Sequence, residues 1–271
     1  MSNETIASHY PLRRPPFQLG ISSVNCRNNQ TENPAKNQPD HLMKAMLGKL
    51  LRRKKRIVRP PCDLPHAFSQ EGEDMILARV FDSQKEGFYV DVGAHHPTRF
   101  SNTYYFYLRG WRGINIDAAP GSMAAFRNLR PDDINVEIAI GENPGSLDFF
   151  IFNEPALNTF DAALAKKREG IEPYRIVETR KVEVRTLAQV LDQYLPRQKT
   201  IDFLSVDAEG FDLSVLRSND WRRFLPKYVL AEDFSGESVE AALQSPIAAF
   251  LRSVGYVLFA KTAQTLIFRR Q

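Results

Sequence analysis

Four short apolar runs, each closed by an acid or a glycine, constrain this chain more than any other feature. They are Phe88-Tyr89-Val90-Asp91-Val92 before Gly93, Gly113-Ile114-Asn115-Ile116-Asp117, Ile201 to Val206 before Asp207-Ala208-Glu209-Gly210, and Tyr228-Val229-Leu230-Ala231 before Glu232-Asp233. Runs so short and so apolar suit strands buried on both faces, as parallel strands are when helices cover the sheet. Helical periodicity fills the gaps. Ser69 stands where it would cap a helix through Met75, Ile76, Leu77, Val80 and Phe81, with Glu71, Glu73 and Asp74 in its first turn. Further helices are expected over Asn102 to Leu108, from Pro120 through Phe126, from Thr186 through Tyr194, across Leu213 and Leu216, and over Pro246 to Ser253. Asn135 to Ile140 reads as another strand, as do Leu147 to Phe152 and Lys181 to Val184. The polar stretch 153–179 between that last pair reads as a lid or insertion. Tyr256 to Ala260 and Thr265 to Phe268 form an antiparallel pair. This alternation predicts one α/β sandwich over residues 67–271, its sheet mostly parallel with one reversed strand.

Charge separates that region from what precedes it. Residues 1–66 hold 12 Lys and Arg against 4 Asp and Glu, whereas residues 67–271 hold 24 against 28. The overall charge of +4 is therefore an average of a basic head and a weakly acidic remainder, and the latter offers no basic groove for nucleic acid. Residues 1–40 are rich in Asn, Pro, Ser and Gln without apolar periodicity and are expected to be disordered. Over residues 42–56, Leu42, Met43, Met46, Leu47, Leu50 and Leu51 recur at helical spacing among lysines and arginines. That segment reads as a solvated linker helix or, over 42–59, as a weak peripheral contact with anionic lipid. Both cysteines, Cys26 and Cys62, fall in the head. With no apolar run long enough to span a bilayer and no secretory leader pattern, a cytoplasmic location is expected.

In a sheet of this kind, ligands bind beyond the carboxyl ends of the strands, where strand order reverses. Asp91, Asp117, Asp207, Glu232 and Asp233 all fall at expected strand ends. One such acid often does no more than cap the next helix, but five in equivalent places point to a binding edge. Asp91 precedes Gly93, where the backbone can turn sharply beside a ligand. Asp117 ends the next strand, where a carboxylate can accept hydrogen bonds from ribose hydroxyls. The phosphate-cradling G-x-G-x-x-G pattern and the P-loop lysine are both missing, which disfavours a nicotinamide dehydrogenase. S-adenosylmethionine needs ribose and adenine contacts without a phosphate cradle, and is the better candidate.

Several ordered motifs extend this reading. Ser69-Gln70-Glu71-Gly72-Glu73-Asp74, the stretch Tyr89 to Pro97, Ser101-Asn102-Thr103-Tyr104, Gly110 to Asp117, Arg130-Pro131, Ala139-Ile140-Gly141 and Ser205 to Gly210 resemble the FkbM-type S-adenosylmethionine-dependent methyltransferases. The resemblance spans residues 67–271 and leaves the head aside. It implies a class I methyltransferase (Rossmann-like) fold of seven strands with the last reversed, and O-methylation of sugar hydroxyls on glycolipids, polysaccharides or glycosylated natural products. The sequence is also similar to members that methylate a deoxyhexose such as fucose on rhizobial lipo-chitooligosaccharides, the signals of nodulation. By this resemblance Asp91 and Gly93 form the first cofactor loop, Asp117 holds the ribose, and Ala139 and Ile140 lie near adenine. Asp207 faces the amino-acid end of the cofactor or the acceptor. Ala94-His95-His96 stands where the usual pattern has a second glycine, leaving Asn102 or Gln70 to meet the methionine carboxylate.

Methylating a hydroxyl needs alignment and a base. His95 and His96 are the sole histidines after residue 66 and follow the cofactor glycine directly. An imidazole near its ordinary pKa of about 6.5 suits the role of base. The competing assignment has them packing the loop or holding backbone groups. Asp207 and Glu209 are rival bases, and with Glu232 they offer oxygen ligands to a divalent ion, although their spacing does not demand a metal. Tyr104, Tyr105, Phe106, Tyr107 and Trp111 are either core or a platform for a sugar ring. A catalytically silent adaptor that keeps the fold is the non-enzymatic alternative.

Overall fold

The structure, a computed structural model, describes residues 66–234 and 238–271. The basic head, with its expected helix over 42–56 and lipid contact over 42–59, lies outside the described residues. Short apolar runs build a seven-stranded sheet from β1 (Phe88–Val92), β2 (Arg112–Asp117), β3 (Ile134–Glu137), β7 (Phe203–Val206), β8 (Tyr228–Glu232), β9 (Tyr256–Lys261) and β10 (Thr265–Arg270). Its order is β3-β2-β1-β7-β8-β10-β9. Pairing is parallel from β3 through β8, and β10 runs antiparallel to both β8 and β9. The expected fold class, a mostly parallel sheet with one reversed strand, is the one observed. β1 is buried at every position, as its unbroken apolar texture requires. Order reverses between β1 and β7, so the site belongs at that edge.

Helices cover the sheet. On one face, α5 (Leu187–Tyr194), α6 (Asp212–Arg217) and α8 (Pro246–Ser253) contribute Leu187, Val190, Leu191, Val215, Leu216, Ile247 and Leu251 to a core with Val90, Ile114, Leu204 and Val229. The start of α5 is fixed by a capping box: the Thr186 side chain accepts from the Gln189 N–H, and the Gln189 side chain accepts from the Thr186 N–H. On the other face, α1 (Glu73–Val80) and α2 (Tyr104–Leu108) bring Leu77 and Phe106 against Phe81, Tyr89, Trp111 and Phe203. Phe106 and Trp111 are therefore core and offer no sugar platform; their ring centroids are 4.8 Å apart. Among the described residues no helix is long and apolar enough to cross a membrane.

Three local expectations are corrected. Ser69 is not the N-cap residue of α1, which is Gly72; its hydroxyl donates to the Asp74 carboxylate at 2.7 Å and accepts the Gly72 and Asp74 N–H groups at 3.1 and 3.4 Å, tying the first turn from three residues upstream. The run Asn135 to Ile140 is not one strand. The Ile138 N–H donates to the Asp117 carbonyl at 3.0 Å, and the chain then leaves β3 as β4 (Ala139–Ile140) in a second sheet, ordered β4-β6-β5. Asp91 does not stand at a strand end but within β1, facing the interior. The second sheet is completed by β5 (Gly145–Phe152) and β6 (Ile176–Arg185), longer than the two expected strands, in antiparallel register. The polar stretch between them holds a 3-10 turn (Pro155–Leu157) and α4 (Ala162–Glu169), which Asp161 caps by accepting from the Ala163 and Leu164 N–H groups. Two further helices, α3 (Met123–Leu129) and α7 (Val239–Leu243), complete the described elements.

Candidate active site

Gly93 leaves β1 with φ +78°, and a Cβ there would overlap the carbonyl oxygen of Asp207. The turns after β1 and β7 are thus in backbone contact, and only glycine fits. The chain then bends through His95, itself left-handed at φ 52°. The His95 N–H donates to one Asp117 carboxylate oxygen at 2.9 Å, and the Ala119 N–H donates to the other at 2.8 Å. Asp117 therefore joins the turns after β1 and β2. Burial pushes its pKa up, against the pull of those two donors.

The two histidines have different duties. His96 Nδ1 accepts the Thr98 and Arg99 N–H groups at 3.2 and 3.1 Å, so this ring holds a turn together. The His95 ring makes no such bond among the described hydrogen bonds. Burial pushes its pKa down; the carboxylates of Asp117, Glu154 and Glu209 oppose that shift, while Arg99 adds to it. The imidazole is consequently neutral at pH 7, with three carboxylates near enough to favour its cation.

Beside these turns, a small polar cleft of about 20 Å³ opens at the ends of β7 and β8. Gln70, Asn102 and Asp207 line it together with Phe100, Glu232 and Gln264. No Lys or Arg is among its described lining residues. Its far wall is tied to the N-terminal loop: Glu71 accepts from the Thr262 hydroxyl at 2.6 Å and the Gln264 N–H at 2.9 Å, and Glu73 accepts from the Thr265 hydroxyl at 2.9 Å. Asn102 is held in the lining by donating to Ser205 at 3.0 Å. The Asp207–Asp212 segment completes the rim. The Asp212 carboxylate accepts from the Ala208, Gly210 and Glu232 N–H groups, and burial beside Asp207 and Glu209 pushes its pKa up. Carboxylate oxygens of Asp207, Glu209 and Glu232 all lie within 4.8 Å of one another.

Asp91 does not reach this cleft. Its carboxylate accepts from Thr103 at 2.8 Å, in a buried network centred on Arg130. Arg130 donates to Asp133 at 2.9 Å, Thr103 at 3.0 Å and the Tyr89 hydroxyl at 2.8 Å. Burial raises the Asp91 pKa and the Arg130 charge opposes it. Asp91 thus supports the Ser101–Thr103 segment from beneath. Ala139 and Ile140 are buried in β4, against Val184 and Arg185 of β6, at the carboxyl end of β3. The structure therefore gathers Gln70, Asn102 and Asp207 in one cleft, sets Gly93, His95, Asp117 and Glu209 in the adjoining turns, and keeps Asp91, His96, Ala139 and Ile140 out of the cleft lining. Sequence reasoning passed over Phe100 and Gln264 in the lining. Phe100 had one signal, its place between the first loop and Asn102, whereas Gln264 is brought in by the reversed strand alone.

This donor set suits S-adenosylmethionine. A carboxylate at the end of β2 matches a vicinal diol, and an acidic, amide-rich cleft without cations matches a sulfonium and an ammonium better than a phosphate. The sequence profile described as the methyltransferase FkbM domain matches residues 91–258. No curated protein matches the chain. A crystal structure of a TehB-like SAM-dependent methyltransferase from Corynebacterium glutamicum is similar at 11% identity and a TM-score of 0.35, over 74% of this chain and 88% of that one. With more than half its length matched by the profile, the chain belongs to the FkbM methyltransferase family, whose cofactor is S-adenosylmethionine.

Proposed function

We propose that this enzyme methylates a hydroxyl of a neutral sugar on a glycolipid, polysaccharide or lipo-chitooligosaccharide, a deoxyhexose such as fucose being the first acceptor to test. The observation that carries this reading is His95, a half-buried neutral imidazole beside three carboxylates, one turn beyond Gly93. An amine acceptor loses its proton easily near neutral pH; a sugar hydroxyl does not, and needs a base aligned with the attacking oxygen. The acid-lined cleft also disfavours anionic acceptors.

Asp117 would hold the ribose hydroxyls, Gln70 and Asn102 the polar end of the methionine moiety, and Ala139 and Ile140 would lie on the adenine side. The bound cofactor supplies an electrophilic methyl group. His95 accepts the acceptor's proton as its oxygen attacks, and the carboxylates of Asp117, Glu154 and Glu209 stabilise the resulting imidazolium. Glu209 is a poorer base than His95 because Arg168 donates to it at 2.5 Å and favours its charged form. Asp207 faces the acceptor across the rim. Of the two residues of the histidine pair, only His95 is assigned to catalysis, since His96 holds the turn. With both cysteines outside the acidic region, no disulfide is required there, and we assign the enzyme to the cytoplasm.

Calorimetric titration with S-adenosylhomocysteine, followed by transfer of labelled methyl to a fucosylated chitooligosaccharide, tests both halves of the reading. Binding with transfer supports it, and binding without transfer to any neutral glycan removes the acceptor class. Asp117→Asn should weaken S-adenosylhomocysteine binding by about tenfold, the value of one charge-assisted contact. Unchanged affinity in that variant would remove the ribose assignment. Mass spectrometry of glycolipids and oligosaccharides from a deletion strain should show one acceptor short of a methylene unit.

A further inference from the structure

Residues 157–168, within the polar stretch between β5 and β6, grip the turn after β7 at four points. Arg168 donates to the Glu209 carboxylate at 2.5 Å, and both side chains are only 12% exposed. Its other terminal nitrogen donates to the Leu157 carbonyl at 2.9 Å, which fixes the guanidinium. The Thr159 hydroxyl donates to the Glu209 carbonyl at 2.9 Å and accepts the Asp161 N–H at 3.0 Å, so the same hydroxyl links the turn to the start of α4. The Phe160 ring lies 5.7 Å from that of Phe211 and 4.6 Å from that of Phe149. Leu164 packs over Gly210.

Glu209 is thereby held at both its backbone and its side chain, in a left-handed conformation (φ 50°) that glutamate rarely adopts. Nothing in the β7–α6 connection alone requires this, since Gly210 follows immediately with φ +91° and takes the turn without strain. What the conformation achieves is the meeting of the Glu209 carboxylate with those of Asp207 and Glu232. Three carboxylates so close repel one another, and Arg168 offsets that repulsion from outside the main sheet.

We propose that Arg168 is a positioning residue for methyl transfer, fixing Glu209 at the rim so that the β5–β6 insert forms part of the working site. The proposal rests on the placement of Glu209 beside His95 in the reading above. Arg168 acts through Glu209 and touches neither acceptor nor cofactor.

The test compares the full chain with Arg168→Lys, Arg168→Gln, Glu209→Gly and the double variant. Amide hydrogen exchange followed by mass spectrometry needs no acceptor. Arg168→Gln should speed exchange about fivefold in peptides covering 159–168 and 207–212 and leave α5 and α8 unchanged. Affinity for S-adenosylhomocysteine should stay within about twofold, while kcat for methyl transfer to the fucosylated chitooligosaccharide falls about tenfold at constant acceptor KM. Arg168→Lys should restore part of that loss. Glu209→Gly removes the left-handed side chain together with the partner of the buried Arg168, so its kcat should fall equally, and adding Arg168→Gln should lower kcat no further. Unchanged exchange at 207–212 in Arg168→Gln, or a further loss of kcat in the double variant, overturns the proposal. A wild-type protein that binds S-adenosylhomocysteine but methylates no glycan overturns the acceptor reading instead, while the exchange comparison still decides whether Arg168 fixes the Glu209 turn.

Discussion

Three non-glycine residues hold left-handed backbone around the cleft and its adjoining turns: His95 at φ 52°, Phe100 at 55° and Glu209 at 50°. Each costs roughly 1 kcal/mol or more, and such strain persists where surrounding contacts over-determine it, most often at working sites. For His95 the compensation is visible in its N–H bond to Asp117. Because burial lowers the His95 pKa below 6.5, the proposed base is deprotonated above that lowered value. Activity should therefore persist through pH 6.5 and fail as pH drops further, a limb measured in the pH profile of kcat/KM. His95→Asn, which tolerates the left-handed backbone, should lose about 10²- to 10⁴-fold in kcat and flatten that limb. Gly93→Ala places a methyl group on the Asp207 carbonyl at positive φ, and should cost about 2–4 kcal/mol, read by urea unfolding. At this scale, Gly93, Asn102 and Asp207 were legible because strand ends and turn residues announce themselves in sequence. The separate duties of His95 and His96 were not, since adjacency says nothing about which ring turns inward.

Among elements, the buried Arg130 network does the most joining. It links β1 through Tyr89 and Asp91, the loop before α2 through Ser101 and Thr103, and the connection from α3 to β3 through Asp133. Asp133 also accepts the Gly113 N–H at 2.9 Å, which brings in β2. Arg130→Met should leave Asp91 and Asp133 buried without their cation and destabilise the protein by about 3 kcal/mol or more, measured by urea unfolding. Strands β1, β2, β7, β8 and the β9–β10 hairpin were readable because a short apolar run has few other fates. The passage from β3 to β4 was not, because Asn135 to Ile140 keeps one apolar texture while Ala139 and Ile140 leave β2 to pair with Val184 and Arg185 of β6. Helix α4 was hidden for the opposite reason. Its sequence Ala162 to Glu169 buries Ala165 alone, so it lacks an apolar stripe and depends on the Asp161 cap and basic last turn.

Across the whole molecule, the cleft is walled by segments far apart in the chain. Glu71 and Glu73, before and at the start of α1, bind the turn between β9 and β10 through Thr262, Gln264 and Thr265. Glu71→Ala removes two of these bonds and should cost about 1–2 kcal/mol of stability. It should also weaken S-adenosylhomocysteine binding, because Gln70 loses its anchored neighbour; paired thermal and isothermal calorimetry measures both losses. The same connectivity orders events during synthesis. β10 is made after β9 yet lies between it and β8, so the edge of β8 stays open until residues 265–270 insert. That insertion also delivers Thr262 and Gln264 to Glu71. Until then the parallel strands stand together without the Thr262 and Gln264 contacts to Glu71, so the far wall of the cleft is the last part of it to close.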